Sequence, residues 1–132
     1  MIHQIEVRTT RRAEFVDITP KIQTIVSESG VRDGLCVIHA PHTTAGLTLN
    51  ENADPDVSRD IQDKLSELAP HGGRYAHLEG NADAHIKASL MGFNLTLLVE
   101  NGRLVLGTWQ GVYLAEFDGP RARRVLVKVR PD

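Results

Sequence analysis

The hydrophobic and polar positions of this chain change period several times, and each change marks an element. Residues 2–8 alternate, Ile2, Gln4 and Glu6 against His3, Ile5 and Val7, which predicts a half-buried strand. Phe15, Val16 and Ile18 predict a second short strand. Thr19-Pro20 then opens a helix, with Thr19 as N-cap and Pro20 at the first helical position. Ile22, Ile25 and Val26 give that helix one apolar face, and Gly30 ends it. The apolar run 34–40 predicts a central strand. Residues 45–51 predict another, alternating Ala45, Leu47 and Leu49 against Gly46, Thr48 and Asn50. Asp54-Pro55 repeats the cap-then-proline signal, and the helix behind it carries Val57, Ile61, Leu65 and Leu68 on one face.

Residues 70–80, with Gly72, Gly73 and Gly80, predict a loop. Residues 83–91 predict a short helix anchored by Ile86 and Leu90 and stopped by Gly92. The remainder predicts strands. Residues 93–99, the Asn101-Gly102 turn and residues 103–106 carry a hairpin signal. Residues 112–117 form one further strand. Residues 124–130 form the last, with Val125, Val127 and Val129 inward and Arg124, Lys128 and Arg130 outward. Strands adjacent in sequence, with few helices between them, predict an α+β fold with a mainly antiparallel sheet. At 132 residues, with no repeat, linker or low-complexity segment, a single domain over 1–132 is expected.

Charge changes the picture by exclusion. The net charge is only −2, whereas a nucleic-acid binder of this size would be plainly basic. The single cysteine, Cys36, sits in an apolar run and reads as a core residue. No internal disulfide can form, which fits a reducing cytoplasm. The N-terminus lacks the apolar stretch of a signal peptide, and no run is long enough to span a bilayer. A cytoplasmic protein without membrane or nucleic-acid partners is therefore expected.

The candidate chemistry is concentrated in two stretches, 39–54 and 77–85, where imidazoles, carboxylates and amides crowd together. Such groups bind metals, move protons and hold anions near neutral pH. His42 follows Pro41 at a strand end and reads either as a rigidly aimed ligand or as a histidine satisfied by backbone. His39 alternates with Leu35 and Val37, which favours a core position. Glu51 continues the face of Leu47 and Leu49. A carboxylate there needs a partner or is perturbed, unless the strand has already ended and it is solvated. Asp54 reads first as an N-cap, and the helix start behind it offers free N–H groups to an anion. His77 and His85 lack the one-turn spacing of a helix-borne zinc pair, so a metal site would have to be assembled from His42, His77 and His85 across the fold. Trp109 reads as core by default, while Gln110 beside it is placed to face a ligand. Arg121 reads as an ion-pair partner of Asp118 or Glu116, or as a guanidinium fork for phosphate.

Four stretches carry a resemblance: residues 42–57, 84–92, 101–111 and 116–121. Through them the chain resembles the YjbQ family essentially end to end. The resemblance implies a small α+β homotrimer described as a secondary thiamine-phosphate synthase. The usual enzyme of that name is an unrelated barrel, which implies a side activity. The family's polar positions fall on His42, Glu51, Asn52, Asp54, His77, Asn81, His85, Gln110 and Arg121. On this reading His42, His77 and His85 would hold a divalent metal, zinc or magnesium. Glu51, Asp54 and Gln110 would be catalytic, and Asn52, Asn81 and Arg121 would bind a phosphorylated small molecule. Two other classes stay open: a metal-dependent hydrolase with Glu51 as base, and a non-catalytic metal- or metabolite-binding module.

Overall fold

The computed structural model describes residues 1–132. Its elements are β1 (His3–Arg8), β2 (Glu14–Asp17), α1 (Thr19–Ser29), β3 (Gly34–His39), β4 (Ala45–Glu51), α2 (Pro55–Leu68), α3 (Ala82–Met91), β5 (Asn94–Glu100), β6 (Arg103–Leu104), β7 (Gln110–Glu116) and β8 (Ala122–Pro131). The α+β class and antiparallel pairing match the sequence pattern, and the strands divide between two sheets. The larger has the order β1-β8-β3-β5-β6 and the smaller β2-β7-β4, every neighbouring pair antiparallel.

One core joins the two sheets. Ile5, Ile38, Leu97 and Val125 of the larger meet Leu47, Val112 and Leu114 of the smaller, with Ile22 and Val26 of α1. Full burial of each such aliphatic side chain contributes about 1.5–3 kcal/mol. A second cluster joins Ala115 and Phe117 to Leu65 of α2 and to Ala84 and Ala88 of α3. Cys36 is fully buried, and burial raises its thiol pKa to about 11, so it is a core residue as expected.

Three local features differ from the sequence pattern. Helix α3 does not anchor through Ile86 and Leu90, which are exposed; it packs through its alanines. Small residues let it come close: a Cβ on Gly46 of β4 would lie 2.5 Å from the Gly92 carbonyl oxygen, which also accepts the Leu47 N–H at 2.9 Å. The N-cap of α1 is Ile18, with Thr19 already helical. Asp17 Oδ1 accepts from the Thr19 N–H, and Thr19 Oγ1 accepts from the Val112 N–H at 2.8 Å. His39 is exposed rather than core, because β3 buries Gly34, Cys36 and Ile38 and turns the other parity outward. On that outer face Leu35, Val37 and Leu98 are 37%, 40% and 60% exposed. The Asn101-Gly102 turn forms as expected, both residues having positive φ.

Candidate functional site

Strands β4 and β7 carry two of the nominated residues, Glu51 and Gln110, paired at one end, and four others lie beyond the two ends of this strand pair. The register of the pair runs from Ala45↔Glu116 to Glu51↔Gln110. Seven residues of strand span about 20 Å at roughly 3.3 Å per residue. Glu51, Asn52, Asp54 and Gln110 lie at one end. Asn81 and Arg121 join Asp118 just beyond the other.

At the first end, the Glu51 carboxylate is half-buried and enters no hydrogen bond or ion pair. The residue is tied down by its backbone: its N–H donates to Asn50 Oδ1 at 2.7 Å, and its carbonyl accepts from the Tyr113 hydroxyl at 3.0 Å. Asn52 Nδ2 donates to Asp17 Oδ2 at 3.0 Å, and a Cβ at Gly111 would collide with the Asn52 amide. Asp54 is the N-cap of α2, its Oδ1 accepting from the Asp56 N–H at 2.9 Å. Gln110 turns back on its own loop, its Oε1 accepting from the Gly107 N–H at 2.8 Å. Trp109 is 61% exposed and not core, since it lies in the turn before β7. Burial, reinforced by the charges of Asp17 and Glu51, pushes the Tyr113 phenol above its ordinary pKa.

The opposite end is tightly bonded. Glu116 is fully buried. Its Oε1 accepts from Thr9 Oγ1 and Arg123 Nε, each at 2.8 Å, and its Oε2 accepts from Arg123 Nη2 and from the N–H groups of Phe117 and Asp118. Burial alone would raise its pKa, but the bonds from Arg123, Asp118 and Thr9 outweigh that and hold it below the ordinary carboxylate value. Asp118 Oδ2 accepts from Asn81 Nδ2 at 2.9 Å and from Arg121 Nη2 at 3.1 Å. Arg121 thus makes the ion pair that its spacing allowed. Asn81 is the N-cap of α3 without a side-chain capping bond, and its Oδ1 is buried without a partner. Asp83, in the first turn, bonds Lys87 and Arg12 at 3.0 Å each. Burial raises its pKa, yet bonds from Lys87, His71 and Arg12 prevail and bring it to about 2.

The three nominated histidines separate. His77 and His85 meet edge to face, with ring centroids 5.3 Å apart, and His77 Nε2 lies 3.6 Å from Glu79 Oε2. His42 is bonded to β8 instead: its Nε2 lies 3.1 Å from the Arg124 nitrogen and 3.0 Å from the Arg124 carbonyl oxygen. Burial lowers its pKa below 6.5, outweighing the carbonyl bond. The residues of one chain therefore do not fit a three-histidine metal centre. No group of three or more His, Cys, Asp or Glu side chains is placed to share an ion. Sequence reasoning missed Arg123. The parity of β8 held the signal, because Arg123 shares the inward face of Val125 and Val127 and a buried guanidinium needs a carboxylate.

Comparison with known proteins now places the chain. Residues 3–132 match the family model described as UPF0047 protein YjbQ-like. A UPF0047 protein of Methanocaldococcus jannaschii is 53% identical over 132 residues, covering 100% of this chain and 96% of the relative. The crystal structure of a conserved protein of the yjbq/upf0047 family from Clostridium acetobutylicum superposes with a TM-score of 0.95 at 54% identity, covering 97% of this chain and 99% of the other. That of a YbjQ-like protein of unknown function from Sulfolobus solfataricus superposes with a TM-score of 0.96 at 36% identity, covering 100% and 97%. No helix is long and apolar enough to cross a membrane. The chain belongs to the YjbQ-like UPF0047 family.

Proposed function

We propose that the protein is an oligomeric enzyme acting on phosphorylated small molecules, with thiamine-phosphate synthesis as a side activity, and that each complete site draws on two copies of the chain. The observation that carries this reading is the division of the nominated residues between two ends about 20 Å apart along one strand pair. Glu51 at one end has an unengaged carboxylate, suited to stabilising the positive charge that develops on the thiazole ring. His77, His85 and Arg121 at the other are suited to an anionic group. A trimer in which one copy's Glu51 end faces another's His85 end would unite them. The exposed Leu35, Val37 and Leu98 give a neighbouring copy apolar area to cover. A divalent ion, zinc or magnesium, would need a third donor from that neighbour.

Thiamine-phosphate formation joins a thiazole nitrogen to the methylene carbon borne by a pyrimidine, and pyrophosphate leaves from that carbon. The protein's part is to orient the nucleophile and to neutralise the leaving group. The test is complementation. Glu51→Gln and His85→Ala each lower turnover of the pyrimidine pyrophosphate and thiazole phosphate by at least about 100-fold, the loss expected when a charge-stabilising group is removed. Co-expressed in equal amounts, they recover about a quarter of the sites if each site takes one residue from each copy. A monomer by sedimentation, or no recovery in the mixed oligomer, refutes the shared site. Bound ligand without turnover of any phosphorylated metabolite refutes the enzyme and leaves a binding module.

A further inference from the structure

A groove of about 800 Å³ lies over the paired end of β1 and β8, away from Glu51 and from the His77–His85 pair. Its size is that of a small-molecule site. The alternation of the two strands builds it. Glu6 and Arg8 of β1 face outward opposite Arg124 and Ala122 of β8. Ala122 is the small residue in this row and offers Arg8 opposite it only a methyl group. His42 and Lys21 also line the groove. Lys21 Nζ donates to the Glu6 carbonyl at 3.3 Å, which holds the amine across the edge of β1.

The charge of this groove runs against that of the chain. Arg8, Lys21 and Arg124 are in no ion pair, and the single carboxylate lining the groove is that of Glu6. Arg123 beneath is already neutralised by Glu116. The chain as a whole carries a net charge of −2. Three unpaired cations converging on one concave surface of an acidic protein make a local anion trap. The two guanidiniums supply planar forks that match phosphate oxygens.

We infer that this groove binds the phosphoryl or pyrophosphoryl group of a small-molecule ligand, with Arg8 and Arg124 as the forks and Lys21 as a point charge. The inference rests on the reading that the ligand is phosphorylated. Its test is binding rather than turnover, so the two can fail separately. Titration of the intact protein with inorganic pyrophosphate, followed by calorimetry, is the measurement. Arg124→Gln and Arg8→Gln each weaken binding about 10- to 100-fold, the loss expected of a charge-assisted hydrogen bond. Arg103→Gln, on the short strand β6, leaves it unchanged. All three are exposed positions, and unaltered thermal melts check the fold. Citrate binds at least tenfold more weakly than pyrophosphate. If Arg121→Gln abolishes binding while Arg124→Gln does not, the groove is not the site, and the phosphate reading of the other end stands. Absence of binding at millimolar pyrophosphate, or citrate binding as tightly, overturns the groove as a phosphoryl site.

Discussion

Glu116 and Glu51 are carboxylates at opposite ends of the same pair of strands, and they are treated in opposite ways. Glu116 is fully buried and accepts from an arginine, a threonine and two backbone amides. Glu51 is half-buried, and its carboxylate is unengaged. The first has all its bonding capacity committed to the fold. The second is held in place only through its backbone, by Tyr113 and Asn50, and keeps its side chain free. A carboxylate that is fully satisfied at rest is poorly suited to stabilise a charge that develops during a reaction, whereas one positioned by its main chain can do so at little structural cost. By this comparison Glu116 is a structural residue and Glu51 the available one, although both come from stretches shared with the family.

The largest effect that could break this comparison is on stability. Arg123→Ala strands the Glu116 charge in the core and should cost about 3–5 kcal/mol in urea unfolding. Glu51→Gln should stay within about 0.5 kcal/mol of the parent. Equal costs for the two would erase the distinction. The effect of pH is smaller and graded. The folded pKa values of His42, Glu116 and Asp83 all lie below their ordinary values of 6.5, 4.5 and 3.8. The unfolded chain therefore takes up these protons first as pH falls. Stability is full above about pH 6.5, declines slightly as the unfolded His42 charges, and falls steeply below about pH 4.5 as the carboxylates titrate. Urea midpoints across this range should follow that curve in the parent and in Glu51→Gln alike, and fall less steeply below pH 4.5 in Glu116→Gln, where Asp83 still contributes. The smallest effect is at Trp109. Trp109→Ala should change stability by no more than about 0.5 kcal/mol. Acrylamide should quench this single tryptophan freely if the Glu51 end is open in solution. Protection from quenching would instead place a neighbouring copy over that end.

Much of the fold was legible because periodicity and punctuation agreed. Residues 45–51 alternate from Ala45 to Glu51 and form β4 with those limits, and Asp54-Pro55 starts α2 as its residue types require. The parity of β3 was harder to read. Leu35 and Val37 are apolar on both periods of a run that is apolar throughout, so the sequence could not say which face His39 shares. Trp109 misled because large aromatics are usually buried, while this one sits in a turn braced by Gln110. The site was legible as a set of residues and not as a place. His42 engages β8, a partner distant in sequence whose register alternation alone cannot supply. The β4–β7 register brings Gln110 beside Glu51, and Asp118 gathers Asn81 and Arg121 beyond the other end, contacts that no local spacing encodes.

The reach of Lys21 to the Glu6 carbonyl has a consequence for how copies of this chain can associate. Strand β1 borders the larger sheet, and its outward main-chain groups are where a stray strand could add. An amine fixed on one of those carbonyls blocks such pairing at the middle of the border, and charged Glu6 and Arg8 flank it. The other border, β6, is two residues long and too short to template a partner. β6 covers only Val99 and Glu100 of β5, so the blunting is strongest at the β1 margin. The sheet is thereby hindered from growing by strand addition at β1.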